Sequence, residues 1–144
     1  MGAADALRGR ANRPTPPQRV NVVYDAGALI AIDRRSDRMR AVHAELVRRD
    51  CLPLVPAIVV AQASRSSKQV ALRMMLRGCK VVPVDLEWAH RIGALLGRAG
   101  KSDVVDAAVV TLALRHAARV VSSDPGDLIA LAQVAGHDLS VVLI

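Results

Sequence analysis

Five short apolar runs, rich in β-branched residues, alternate along this chain with segments of helical character. That alternation restricts the fold more than any other feature. The runs cover residues 20–24, 52–55, 79–84, 119–123 and 139–144. Each is too short for a helix and lacks the polar alternation of a half-exposed sheet, so each reads as a strand buried on both faces. Helices are expected over 26–32 and over 36–49, the second with Ser36 as N-cap. Another runs from Pro56, placed at the first helical position, to about residue 64. A helix over 67–77 meets Gly78 as its C′ residue, and one over 86–99 is capped by Asp85 and stopped by Gly100. A helix over 103–116 is capped by Ser102, and the last covers 127–134 before Gly136. Strands separated by helices require crossover connections. The expected class is therefore α/β, with a mostly parallel five-stranded sheet carrying helices on both faces.

The chain of 144 residues suffices for one domain with one core. It has no Phe, one Trp (Trp88) and one Tyr (Tyr24), so aliphatic layers must fill that core. Residues 1–19, with Pro14, Pro16, Pro17 and four Arg, show no apolar periodicity and read as a basic, disordered tail before a domain over 20–144. Cys51 and Cys79 adjoin apolar runs and form no CxxC pair, which fits reduced core thiols in the cytoplasm. No apolar run approaches the ~20 residues of a membrane span, and no secretory signal opens the chain, so no membrane association is expected.

The net charge is +7, from 20 basic and 13 acidic residues. Of the basic residues all but Lys68, Lys80 and Lys101 are Arg, which suits planar phosphate contacts, although Arg-rich usage also follows from a GC-rich genome. The scarce acids are placed informatively. Asp25 follows the first strand directly. Asp124 follows the fourth, with Asp127 three residues on, and Asp103 and Asp106 share one face at the start of the preceding helix. The carboxyl ends of parallel strands form one rim, where ligands of open α/β sheets bind. Each acid taken alone also fits a helix cap or a helix dipole. Together they repel one another unless a cation joins them, and carboxylate oxygens suit Mg²⁺ or Mn²⁺.

Three segments resemble one known family. VVYDAGALIA resembles the opening of a PIN domain, VPAIVVAQASR its second acid-bearing segment, and KSDVVDAAVVTLALRHAARVVSSDPGDL its C-terminal half. The resemblance spans residues 20–144 and is strongest to VapC-type toxins. It implies a PIN-like three-layer sandwich and a Mg²⁺-dependent endoribonuclease acting on single-stranded or looped RNA. It also implies a small cognate antitoxin protein as partner, and a homodimer. By position, Asp25, Asp106 and Asp124 become metal ligands and, with Asp103, catalytic acids; Asp127 and Gln62 become secondary residues. Gln62 departs from the family pattern, which has Glu there. Gln offers a carbonyl oxygen but no charge, and a degenerate domain that binds RNA or antitoxin without cutting is the alternative. Arg34, Arg35, Arg65 and Lys68 are candidate RNA contacts, though charge runs are also common on solvated loops. A receiver-like signalling domain also gathers acids on such a rim. It needs a Lys after the fifth strand, and none stands there.

Overall fold

The strand buried along its whole length is β1 (Val22–Tyr24), and it takes the centre of the sheet. In the computed structural model, which describes residues 20–144, the order is β3-β2-β1-β4-β5. The tail expected at 1–19 lies outside the described residues. On one side of β1 stand β2 (Leu54–Pro56) and, at the edge, β3 (Lys80–Val82). On the other stand β4 (Arg119–Ser122) and, at the opposite edge, β5 (Val141–Leu143). Every pairing is parallel, with Val23 opposite both Leu54 and Val120.

The chain steps outward from β1 to β3 and then returns across β1 to β4. With right-handed crossovers, this reversal places the helices in two layers. One layer holds α1 (Ala26–Asp33), α2 (Asp37–Arg48), α3 (Ala57–Ala63) and α4 (Val70–Arg77); α1 packs against the other three. The other holds α5 (Leu86–Ala99), α6 (Val104–Arg115) and α7 (Gly126–Val134), which pack on one another. Helix α6 lies on β1, β2 and β4, and its Ala107, Ala108, Val109 and Val110 are wholly buried. The core is aliphatic, with Tyr24 and Trp88 inside it. Trp88 Nε1 donates to Thr111 Oγ1 at 2.7 Å, and Tyr24 Oη lies 2.8 Å from His43 Nδ1, so neither buried ring strands a polar atom. Both cysteines are free, half-buried thiols.

The elements follow the expected order, with several ends displaced. Pro56 closes β2 and stands at the N-cap of α3, not at its first helical position. The cap of α6 is Asp103 instead of Ser102: its Oδ1 accepts the Asp106 N–H at 3.0 Å, three residues on, as a cap must. Helix α4 begins at Val70, not Ser67, because Gln69 Oε1 accepts the N–H groups of Arg65 (2.7 Å) and Ser66 (3.2 Å). These bonds wind residues 65–69 into a turn. Gly78 ends α4 with φ −91°, without the left-handed conformation, through its N–H bond to the Met75 carbonyl at 2.9 Å. Gly100 does adopt that conformation, at φ 63°.

Candidate active site

The reversal of strand order lies between β1 and β4, and their carboxyl ends bring Asp25 and Ser122 together. Asp25 is 8% exposed, and Ser122 is fully buried. Asp25 caps α1, its Oδ1 accepting the Ala28 N–H at 2.8 Å. The Ser122 hydroxyl accepts the Asp124 N–H at 3.2 Å and lies beside the Asp25 carboxyl, whose pKa it lowers. One buried hydroxyl therefore stands between the end of β1 and the turn after β4. Gly27 permits the close approach: a Cβ there falls 2.5 Å from Ser123 Oγ and 3.3 Å from Asp25 Oδ1.

Burial raises the pKa of Asp25. The hydrogen bonds from Ser122, Ala28 and Gly27 oppose that rise, and the nearby Asp124 charge adds to it. Asp106, half-buried in the first turn of α6, is raised from 3.8 to about 6. Burial is the main cause, followed by the charges of Asp103, Asp127 and Asp25. The five acids therefore share one electrostatic environment on the carboxyl rim.

Capping accounts for only part of this set. Asp25 and Asp103 each commit one oxygen to a helix cap. Asp124 caps nothing, since Pro125 holds the N-cap of α7 without a side-chain bond. The ion pairs among the described residues engage Asp37, Glu45 and Glu87 and none of the five. Among the described residues, these five carboxylates thus form no ion pair with a basic side chain, in a chain of net charge +7.

The donor set fits a hard divalent cation in kind, being all oxygen and anionic. As the side chains stand, no three His, Cys, Asp or Glu among the described residues close around one point in ligand geometry. Coordination by Asp25, Asp106 and Asp124 therefore requires their carboxyl groups to turn inward.

The metal-free protein should show the raised pKa of Asp106 in its stability. Between 3.8 and about 6 the folded state holds this proton and the unfolded state does not, so stability falls as pH rises through that window. The lowered pKa of His43 acts oppositely below its ordinary 6.5, so the parent alone does not isolate the effect. Melting of parent and Asp106→Asn side by side does. The parent should lose stability relative to the variant between about pH 4 and 6, and a constant difference would mean that the carboxyl is not perturbed.

Gln62 lies in the last turn of α3, exposed, and its side chain makes no hydrogen bond among the described residues. Its helix packs against α6, which carries Asp106, and against α1, which follows Asp25. Arg34 and Arg35 lie at the far end of α1, about 13 Å from Asp25 at ~1.5 Å per residue, and both are exposed. The structure does not bring them to the acids. Arg65 folds back onto the end of α3, donating to the Ser64 carbonyl at 2.7 Å, and Lys68 is exposed in the following turn. Two residues of the site escaped sequence reasoning. Ser122 was signalled only by its place two residues before Asp124, at the end of the fourth strand. Lys101, two residues before Asp103, lines a cavity with Asp103, Asp106 and Asp127.

No protein-family model and no curated protein matches this sequence. Solved structures do resemble the fold. The chain is similar to VapBC2 from Rickettsia felis, solved bound to a DNA fragment from their promoter. The identity there is 15% and the TM-score 0.62, over 87% of this chain and 99% of that one. It is similar to FitAB bound to an IR36 DNA fragment, at 20% identity and TM-score 0.60, over 85% and 94%. A toxin–antitoxin complex from Klebsiella pneumoniae aligns at 17% identity and TM-score 0.55, over 74% and 89%. At these identities the likeness establishes the fold.

Proposed function

We propose that this chain, whose fold is that of the VapC-type PIN domains, is a metal-dependent endoribonuclease and the toxin of a toxin–antitoxin pair. The observation that carries the reading is the set of five acids on the sheet's carboxyl rim, two with raised pKa and none with a basic partner among the described residues. Asp25, Asp106 and Asp124 hold Mg²⁺ or Mn²⁺, with Asp103 and Asp127 beside them. When bound, the cation activates water and neutralises charge on the scissile phosphate. The Ala28 N–H holds one oxygen of the Asp25 carboxyl at the head of α1, and the buried Ser122 hydroxyl beside it favours its charged form. Asp106 must give up its proton to bind metal, so affinity should rise with pH through about 6. The exposed Arg34, Arg35 and Lys68 serve phosphates flanking the cut. The test is cleavage of single-stranded RNA with Mn²⁺ or Mg²⁺, stopped by chelator and leaving a 5′-phosphate.

Antitoxin binding is assigned to a groove of about 500 Å³ between α2 and α4. Met74, Met75, Ala44 and Ala71 give it apolar walls, and Arg35 and Arg40 give it a basic rim. An amphipathic helix with acidic flanks fits that chemistry. The VapC-like reading also implies a place in the cytoplasm, where RNA and antitoxin are made, and a homodimer. Among the described residues no helix is long and apolar enough to cross a membrane.

Gln62 favours a second reading, a degenerate domain that binds RNA or antitoxin with little cleavage. Gln62→Glu decides how much its missing charge matters. If the α3 position serves the site, this variant binds Mn²⁺ about tenfold more tightly, by roughly 1.4 kcal/mol, and cuts faster. It also melts slightly lower without metal, because a sixth acid joins the cluster. Calorimetric titration and metal-free melts read both effects, and unchanged values would place residue 62 outside the site.

A further inference from the structure

A cavity of about 180 Å³ opens beside the acidic rim, between the end of α5 and the faces of α6 and α7. Asp103, Asp106 and Asp127 line one side, and Ala99, Ala130, Leu131 and Val134 make the apolar remainder. Lys101 and Ser102, both exposed, complete it. Pockets for drug-sized ligands run to ~300–1,000 Å³, so this one suits a single planar ring system. Two of its walls, Asp103 and Asp106, belong to the candidate catalytic set, which puts any occupant next to the reacting phosphate.

We propose that this cavity is a base pocket that takes one unstacked guanine of the RNA beside the cut. The inference rests on the ribonuclease reading and adds to it a substrate preference and the residues that set it. Splayed bases in single-stranded RNA are commonly read by aromatic stacking and by hydrogen bonds to their edges. Both large aromatic rings of this chain are buried in the core, so neither Trp88 nor Tyr24 offers a stacking platform, and no aromatic ring lines the cavity. A slot walled by Ala130, Leu131 and Val134 supplies apolar contact to the ring faces instead. The acidic wall of Asp103, Asp106 and Asp127 offers carboxylate acceptors. Asp127 has no hydrogen bond or ion pair among the described residues, and its two oxygens match two adjacent N–H donors. Guanine alone among the four bases offers such a pair, at N1 and N2. Cytosine and adenine place one amino group beside a ring acceptor, and uracil flanks its single N–H with carbonyls that a carboxylate repels. Lys101 is placed to hold a phosphate of the same nucleotide and to offset the charge of the acids.

The test is an NMR titration of the protein with GMP and with UMP in Mg²⁺ buffer, read at the methyl groups of Ala130, Leu131 and Val134. GMP should shift these signals at roughly 10–100-fold lower concentration than UMP, the discrimination of one good bidentate base contact. Ala130→Leu fills the cavity from an exposed position and should abolish the response. Asp127→Asn should erase the preference for GMP while leaving weak binding. Equal response to both nucleotides, shifts confined to other residues, or an Ala130→Leu titration like the parent's would overturn the base pocket. The ribonuclease reading fails on a different result, the absence of metal-dependent cleavage of any RNA, and the nucleotide titration does not depend on it.

Discussion

Asp25→Asn and Asp106→Asn should each reduce metal-dependent RNA cleavage by more than about 100-fold, since even outer partners of metal ligands typically cost ~10–100-fold. The fold should survive both changes. Asn at position 25 keeps an oxygen that accepts the Ala28 N–H, so the cap of α1 persists. It also removes a buried charge whose pKa the protein raises, so the metal-free variant should melt no lower than the parent near pH 7. At position 106 the carboxyl caps nothing, and its loss relieves repulsion with Asp103, Asp127 and Asp25. Loss of cleavage together with kept or raised stability separates a functional carboxylate from a structural one. Cleavage at the parental rate by either variant would refute the metal assignment, and a collapsed fold in Asp25→Asn would mean that the charged carboxylate itself is structural.

Met74→Asp should weaken antitoxin binding by at least about 100-fold while cleavage stays at the parental rate. Met74 is 61% exposed and lines the groove between α2 and α4, so the free chain tolerates a charge there. In the complex that charge would be buried without a partner, at a typical cost of several kcal/mol. Calorimetry with the adjacent-gene product reads the affinity. A second readout is thermal stability: a partner at 100 times its dissociation constant stabilises the parent by about 2.7 kcal/mol, and that gain should vanish in the variant. An unchanged affinity would place the partner on another face.

The elements were legible because their signals are local. The β-branched runs announced all five strands, and Ser36, Asp85 and Gly100 marked helix ends where the structure has them. Asp25 and Asp124 were readable as rim residues because each follows a strand in a parallel sheet. The displaced ends came from competition between neighbouring groups of similar propensity. Ser102 and Asp103 are both good N-caps, and only the geometry of the turn selects Asp103. Ser67 to Gln69 carry no helix breaker, and the Gln69 side chain diverts the backbone into a turn by accepting two of its N–H groups.

The sequence by itself determined the α/β class, the succession of elements and the stations of five acids along the chain. These follow from periodicity and capping, which act over a few residues. Tertiary structure alone decided which acids lie together, that the buried hydroxyl of Ser122 stands between Asp25 and the turn at Asp124, and that Arg34 and Arg35 stand a helix length from the acids. It also opened the apolar cavity beside Asp127 and the groove beside Met74. Burial, and the pKa shifts that burial causes, belong to no single segment. They arise when the reversal of strand order folds the end of β1 against the end of β4 and the head of α6, excluding water from carboxylates that the unfolded chain keeps solvated and apart.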